Sequence, residues 1–235
     1  MNHKVTCRNR CNEVYAADEE LESDSSAGLP AACAKDYLVA ASTLSPEKKL
    51  AVMYPKRDPK EFAEGKNYTV SLQPFAVLGS LDTKWPYFYH ENHAGISAEW
   101  SNDNSVALVT IDSKWGPGDI FLLEFADGKL KGTTNLLAKI HALLLPDYQK
   151  VKPQRYNDYF DFILADDSES TPVCRLVGNK LVEIDATATT DPKHMAGMRA
   201  WDARVRATWD VAQAKFTSQK VTRLFGGVRK QNDDE

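Results

Sequence analysis

The sequence predicts a mainly β protein of antiparallel hairpins with one amphipathic helix, and three observations carry that prediction. From Asp36 onward, short apolar runs rich in Val, Ile, Leu, Tyr and Phe alternate with clusters of Gly, Pro, Asn and Asp, which is the grammar of strands and turns. Between positions 203 and 211, Ala203, Val205, Ala207, Trp209 and Val211 take the odd places and Arg204, Arg206, Thr208 and Asp210 the even ones. That period of two favours a half-buried strand; a helix is the alternative, because Trp201, Val205, Trp209 and Ala212 also fall near one helical face. A helical stripe is well formed only by Leu136, Leu137, Ile140, Leu143 and Leu144.

The strands are expected at 50–54, 68–72, 75–81, 105–112, 119–125, 159–165, 173–177 and 181–185. Asp127-Gly128 suits a tight hairpin, since glycine tolerates the positive φ that such turns require, and Gly178-Asn179 has the same character. The helix is expected over about 134–145, capped by Thr133 or Thr134 and stopped by Pro146. A single helix following several strands suggests a cover for a sheet face or an open edge.

The chain has 235 residues, 43% hydrophobic and 26% charged, the composition of an ordinary soluble globular protein and enough for one large domain or two small ones. Residues 13–28 carry Glu13, Asp18, Glu19, Glu20, Glu22 and Asp24 with few large apolar groups, so 1–30 reads as a flexible acidic leader. A single mainly β domain is expected over 34–228, with a flexible tail at 229–235. The net charge of −4 is unevenly spread: 193–230 holds nine basic residues against Asp202 and Asp210, giving +7, and the remainder is −11. A basic face attracted to the protein's own acidic face is the plain reading, and a basic surface from Arg199 to Arg229 that docks an acidic partner, with binding that weakens steeply with salt, is the other. Nucleic acid is not favoured, because the aromatic stacking pattern of an RNA-binding sheet is missing.

Cys7, Cys11, Cys33 and Cys174 are too few and scattered for a disulfide scaffold, and the spacing of Cys7 and Cys11 is not that of a zinc knuckle. No run approaches the about 18 apolar residues of a membrane span. The location reads as cytoplasmic if the N-terminus is complete, with export as the alternative if a signal peptide precedes it.

Leu44-Ser45-Pro46-Glu47-Lys48-Lys49-Leu50-Ala51-Val52 resembles the turn and first strand of TolB-type β-propeller repeats, whose consensus is Ser-Pro-Asp-Gly-Lys before an apolar strand. Ala98-Glu99-Trp100-Ser101-Asn102-Asp103-Asn104-Ser105-Val106-Ala107 looks like a second copy. Lys48 replaces the turn glycine, the second copy lacks the proline, and no third copy is convincing. The resemblance implies blade-like hairpins in an incomplete propeller-like or two-sheet assembly, and a surface more than a chemistry.

The densest aromatic stretch is Trp85-Pro86-Tyr87-Phe88-Tyr89, followed by His90-Glu91-Asn92-His93. Flat rings beside polar groups suit stacking on a sugar or peptide, so Trp85, Tyr87, Tyr89, His90, Glu91 and His93, joined by Trp115 in the loop 114–119, form the candidate ligand surface. The rings could instead pack inward to close a long connection. No catalytic or cofactor motif is present: the phosphate loop, the Gly-x-Gly-x-x-Gly turn and the nucleophile elbow are all missing. The reading is a noncatalytic binding or interaction protein whose partner is a glycan, peptide or protein. The alternative is a hydrolase using His90, His93 and carboxylates such as Glu91, Glu99 or Asp112, with or without a metal. Asp112 and Asp119, with Glu99 or Glu124, are a further candidate carboxylate pair. His141 and His194 read as solvated surface residues, Cys174 as a buried inert thiol, and Gly226-Gly227 as a flexible turn before the tail.

Overall fold

A computed structural model describes residues 23–58, 65–165 and 172–230. Most of the expected leader, with Cys7 and Cys11, lies outside them. The mainly β class holds: the described strands form three antiparallel sheets and no closed barrel. The chain divides into two compact units, one comprising the residues up to Ile111 with Phe121–Thr134, the other Asp112–Ile120 with the residues from Asn135 onward.

The first unit holds two sheets of the same up-and-down design. One runs in the order β1 (Tyr37–Val39), β2 (Leu50–Pro55), β3 (Tyr68–Leu72) and β4 (Phe75–Ser80). The other contains β5 (Gly95–Trp100), β6 (Val106–Ser113), β7 (Gly116–Ala126) and β8 (Lys129–Asn135), the tip of the β6–β7 hairpin being counted with the second unit. All six residues of β2 are buried. Leu50, Val52 and Tyr54 pack on one face with Val109, Phe121 and Leu123. Ala51 and Met53 pack on the other with Cys33, Tyr37 and Phe75, beside the short helix α1 (Ala31–Ala34).

The second strand of each sheet is entered through the same kind of turn. The Ser45 hydroxyl accepts from the Leu50 amide at 3.1 Å, and Ser45 N–H donates to the Leu50 carbonyl at 2.8 Å. Ser101 makes the equivalent bonds with Val106 at 3.0 and 2.9 Å. The left-handed residue falls at the same step, Lys48 with φ 54° and Asn104 with φ 57°. Lys48 therefore holds a conformation for which asparagine is better suited and glycine best.

Asp127 and Gly128 both have positive φ, 52° and 68°, as the tight turn between β7 and β8 requires. Gly178 does not share a two-residue turn with Asn179. Val177 pairs with Leu181, so the loop has three residues, and only Gly178 is left-handed. Gly116, with φ 128°, ends the β6–β7 turn; a Cβ there would stand 2.0 Å from the Leu164 carbonyl oxygen. At Gly79 a Cβ would meet only a side-chain atom, Leu130 Cδ2, at 2.7 Å.

The second unit is one sheet and one long helix. The sheet runs β10 (Cys174–Val177), β11 (Leu181–Thr189), β12 (Arg199–Asp210) and β13 (Lys215–Val228), and β9 (Ile163–Ala165) shares the β10 side of β11. The period of two at 203–211 is thus a strand, with Ala203, Val205, Ala207 and Trp209 buried. The strand expected at 159–165 forms only from Ile163, because the Asn157 side chain accepts from the amides of Tyr159 and Phe160 and turns the chain there.

Helix α2 spans Leu136–Val151, so Pro146 does not stop it and Asn135, not a threonine, caps it by accepting from the Ala138 amide at 2.8 Å. Pro146 and Ala142, one turn earlier, are both exposed, so the carbonyl that loses its partner faces water. The extra turn is held from outside. Asp147 accepts from Trp201 Nε1 at 2.9 Å and from both arms of Arg223, and Tyr148 meets Trp201 edge-on at 5.7 Å. These donors hold the Asp147 carboxyl below the usual carboxylate range, with Arg223 as the largest cause. No helix among the described residues is long and apolar enough to cross a membrane.

Three single residues correct the sequence reading. Gly226 and Gly227 are not a turn: they lie in β13 opposite Trp201 and Ala200. A Cβ on Gly226 would press within 3.1 Å of Val151 at the end of α2, so glycine serves close packing there. His141 is not solvated; its ring lies 4.6 Å from Phe162, and burial pushes its pKa below the ordinary histidine value. Cys174 is buried, as expected, and burial raises its thiol pKa far above the usual range.

The ends of the described chain are tied in. Ser25 pairs with Val39, and Asp24 accepts from the Ala41 amide and the Tyr54 hydroxyl. Arg229 bonds Asp191 at 2.8 Å and Asp202 at 2.7 Å, with Asp191 fully buried. Replacing Arg229 with alanine leaves that carboxylate uncompensated, and urea unfolding should show a loss of about 3 to 5 kcal/mol. Lys48→Gly should raise stability by about 1 kcal/mol by relieving the left-handed lysine, whereas Asn104→Gly should change it much less.

Candidate functional site

The aromatic stretch forms a strap, residues 82–94, that joins β4 to β5 within the first unit. It is anchored where it crosses the end of the first sheet. Asn67, completely buried, grips Tyr87 by both backbone groups: its Nδ2 donates to the Tyr87 carbonyl at 2.8 Å and its Oδ1 accepts from the Tyr87 amide at 2.9 Å. The Tyr89 amide donates to the Pro55 carbonyl at 3.0 Å. Pro86 keeps Trp85 out of the helical region, and turns at 88–91 and 91–94 bring the chain back towards β5.

Tyr87 points inward. Its ring packs on Tyr54 at 4.8 Å, and burial, with the nearby charges of Asp24 and Glu91, raises its hydroxyl pKa. Tyr54 is shifted the same way, by burial first and then by its bond to Asp24. Tyr87 therefore fastens the strap through its ring, and Phe88 beside it is half-buried as well. Trp85 and Tyr89 do the opposite, with 57% and 41% of their surface exposed. His90 is exposed with its ring 3.8 Å from that of Tyr89, and it and His93 occupy left-handed positions, φ 61° and 58°. Glu91 is half-buried, and burial lifts its carboxyl above the usual range against an opposing hydrogen bond at Phe88.

Trp115 belongs to the second unit, where Lys114 and Lys193 approach its ring at 5.1 and 5.9 Å and Tyr156 meets it edge-on at 6.2 Å. The sequence reading missed Tyr156 and Lys193, which no spacing links to Trp115. Asp119 is buried, not solvated, and accepts from Asn135 Nδ2 at 3.1 Å, so it orients the cap of α2. Among the described residues no three His, Cys, Asp or Glu side chains are placed to hold a metal. His194 is exposed, as expected.

A polar cleft of about 420 Å³ lies in the first unit beside the two serine turns, lined by Ser45, Glu47, Lys49, Asp103, Asn104 and Asp127 among others. Ser45 and Asp103 are engaged in bonds of those turns.

No known protein family, curated protein or solved structure matches this chain. Asn67→Ala should leave the Tyr87 amide and carbonyl unpaired, costing about 2 kcal/mol. Hydrogen exchange should then accelerate at the Tyr87 and Tyr89 amides while the β6 and β7 amides keep their protection.

Proposed function

We propose that this chain is a noncatalytic binding or interaction protein whose ligand surface is the outer side of the strap, with Trp85, Tyr89 and His90 as contact residues and Glu91 and His93 at its margin. One observation carries the reading: two exposed rings flank a residue whose backbone is clamped by a buried asparagine. A ring held out by a fixed backbone loses little conformational freedom on binding, and such rings suit stacking on a sugar face, a proline or a peptide side chain. The TolB-type likeness supports the same reading, since the two four-stranded meanders enter their second strands through matching turns and such repeats usually serve binding. Trp115 is a second aromatic contact of the other unit. The hydrolase alternative needs His90, His93 and a carboxylate aimed at one point. The two histidines sit exposed at separate turns, and Asp112 falls in the second unit, so nothing specific favours it.

A thermal-shift screen against oligosaccharides and proline-containing peptides tests this. A true ligand at 100 times its dissociation constant should stabilise the protein by about 2.7 kcal/mol. The shift should vanish in a Trp85→Ala, Tyr89→Ala variant whose unliganded melting temperature is nearly unchanged. A shift that persists in the variant, or none with any compound, overturns the assignment.

A further inference from the structure

β13 ends its sheet, and none of its 14 residues is buried. Among the described residues its backbone makes no hydrogen bond beyond the ladder with β12. Half of its amides and carbonyls therefore point away from the sheet with no partner among the described residues. Two register shifts break its pairing with β12. Thr208 pairs with Ser218 but Trp209 with Phe216, and Ala203 pairs with Arg223 but Asp202 with Phe225. Thr217 and Leu224 are the extra residues, and between them Ser218–Arg223 is a regular six-residue ladder, the length of a typical strand.

The charges along this window are incomplete. On one face of the sheet, Arg175 pairs with Glu183, while Arg204 and Arg206 share Asp185. Lys220 stands directly opposite Arg206 and has no carboxylate partner among the described residues. Two cations facing each other across strands destabilise the pair. The row runs Asp185, Arg206, Lys220, and the next place in it is on the open side of β13. A second β13 could not supply the missing acid, because the strand contains Lys215, Lys220 and Arg223 and no Asp or Glu.

We propose that the open edge of β13 over Ser218–Arg223 accepts an extended acidic segment of a partner protein as an additional strand, with a carboxylate beside Lys220. Backbone hydrogen bonds supply the attachment and the lysine supplies the selection. This surface belongs to the second unit and does not depend on the assignment of the aromatic strap.

The test uses the full chain and labelled acetyl-Thr-Glu-Val-Glu-Val-Glu-Val-Thr-amide. The peptide should bind, weaken with added salt, and slow hydrogen exchange of the outward amides in the window. Replacing its glutamates with lysines should weaken binding by about fivefold or more per facing charge. N-methylation of alternate backbone amides should abolish binding in one phase and spare it in the other. Lys220→Glu relieves the repulsion with Arg206, should fold normally, and should reverse the preference towards the lysine peptide. Absent binding, indifference to N-methylation, or an unchanged preference in Lys220→Glu overturns the proposal. So does a concentration-dependent dimer protecting the same amides, which would assign the edge to a second copy.

Discussion

Burial of β2 on both faces is the constraint from which the first unit follows. A strand with water on neither side must satisfy every backbone group in the ladder and find apolar cover twice. β1 and β3 provide the ladder. The side of Leu50, Val52 and Tyr54 is covered by β6 and β7, and the side of Ala51 and Met53 by Cys33 and Tyr37. Two four-stranded meanders sharing one core are a direct solution. The turn that starts β2 is fixed by a serine hydroxyl, and that of β6 likewise, so both strands begin at a defined residue. A one-residue slip would exchange the contents of the two cores.

The sequence showed this plan where side-chain periodicity and turn chemistry act locally. β3 begins and ends at the expected residues, and β2, β6 and β12 are displaced only at their ends. It misled where a contact far along the chain outweighed a local rule. Pro146 looks like a stop until Trp201 and Arg223, more than 50 residues away, are seen to hold the next turn of the helix. Gly226-Gly227 looks like a flexible turn until Val151 is found against Gly226. β13 was hidden for a different reason: it is an edge with neither face buried, so it lacks the alternation that reveals a strand.

The strap shows the same division. That aromatic residues at 85–89 would matter was legible from their density. Which ring turns inward was not, because Asn67, the residue that decides it, lies 20 positions earlier and makes its bonds to backbone atoms that carry no sequence signal. Tyr87 is drawn against Tyr54, while Trp85 and Tyr89, two positions to either side, are left exposed.

The two tightly approached glycines differ in what mutation could do to them. Gly79 faces a leucine side chain, and a shorter residue at position 130 would make room, so damage from alanine at 79 is open to second-site suppression. Gly116 faces the backbone carbonyl of Leu164, which every amino acid at that position retains. No substitution at 164 removes that oxygen, so a side chain at position 116 requires the backbone to shift, while position 79 can drift together with its neighbour.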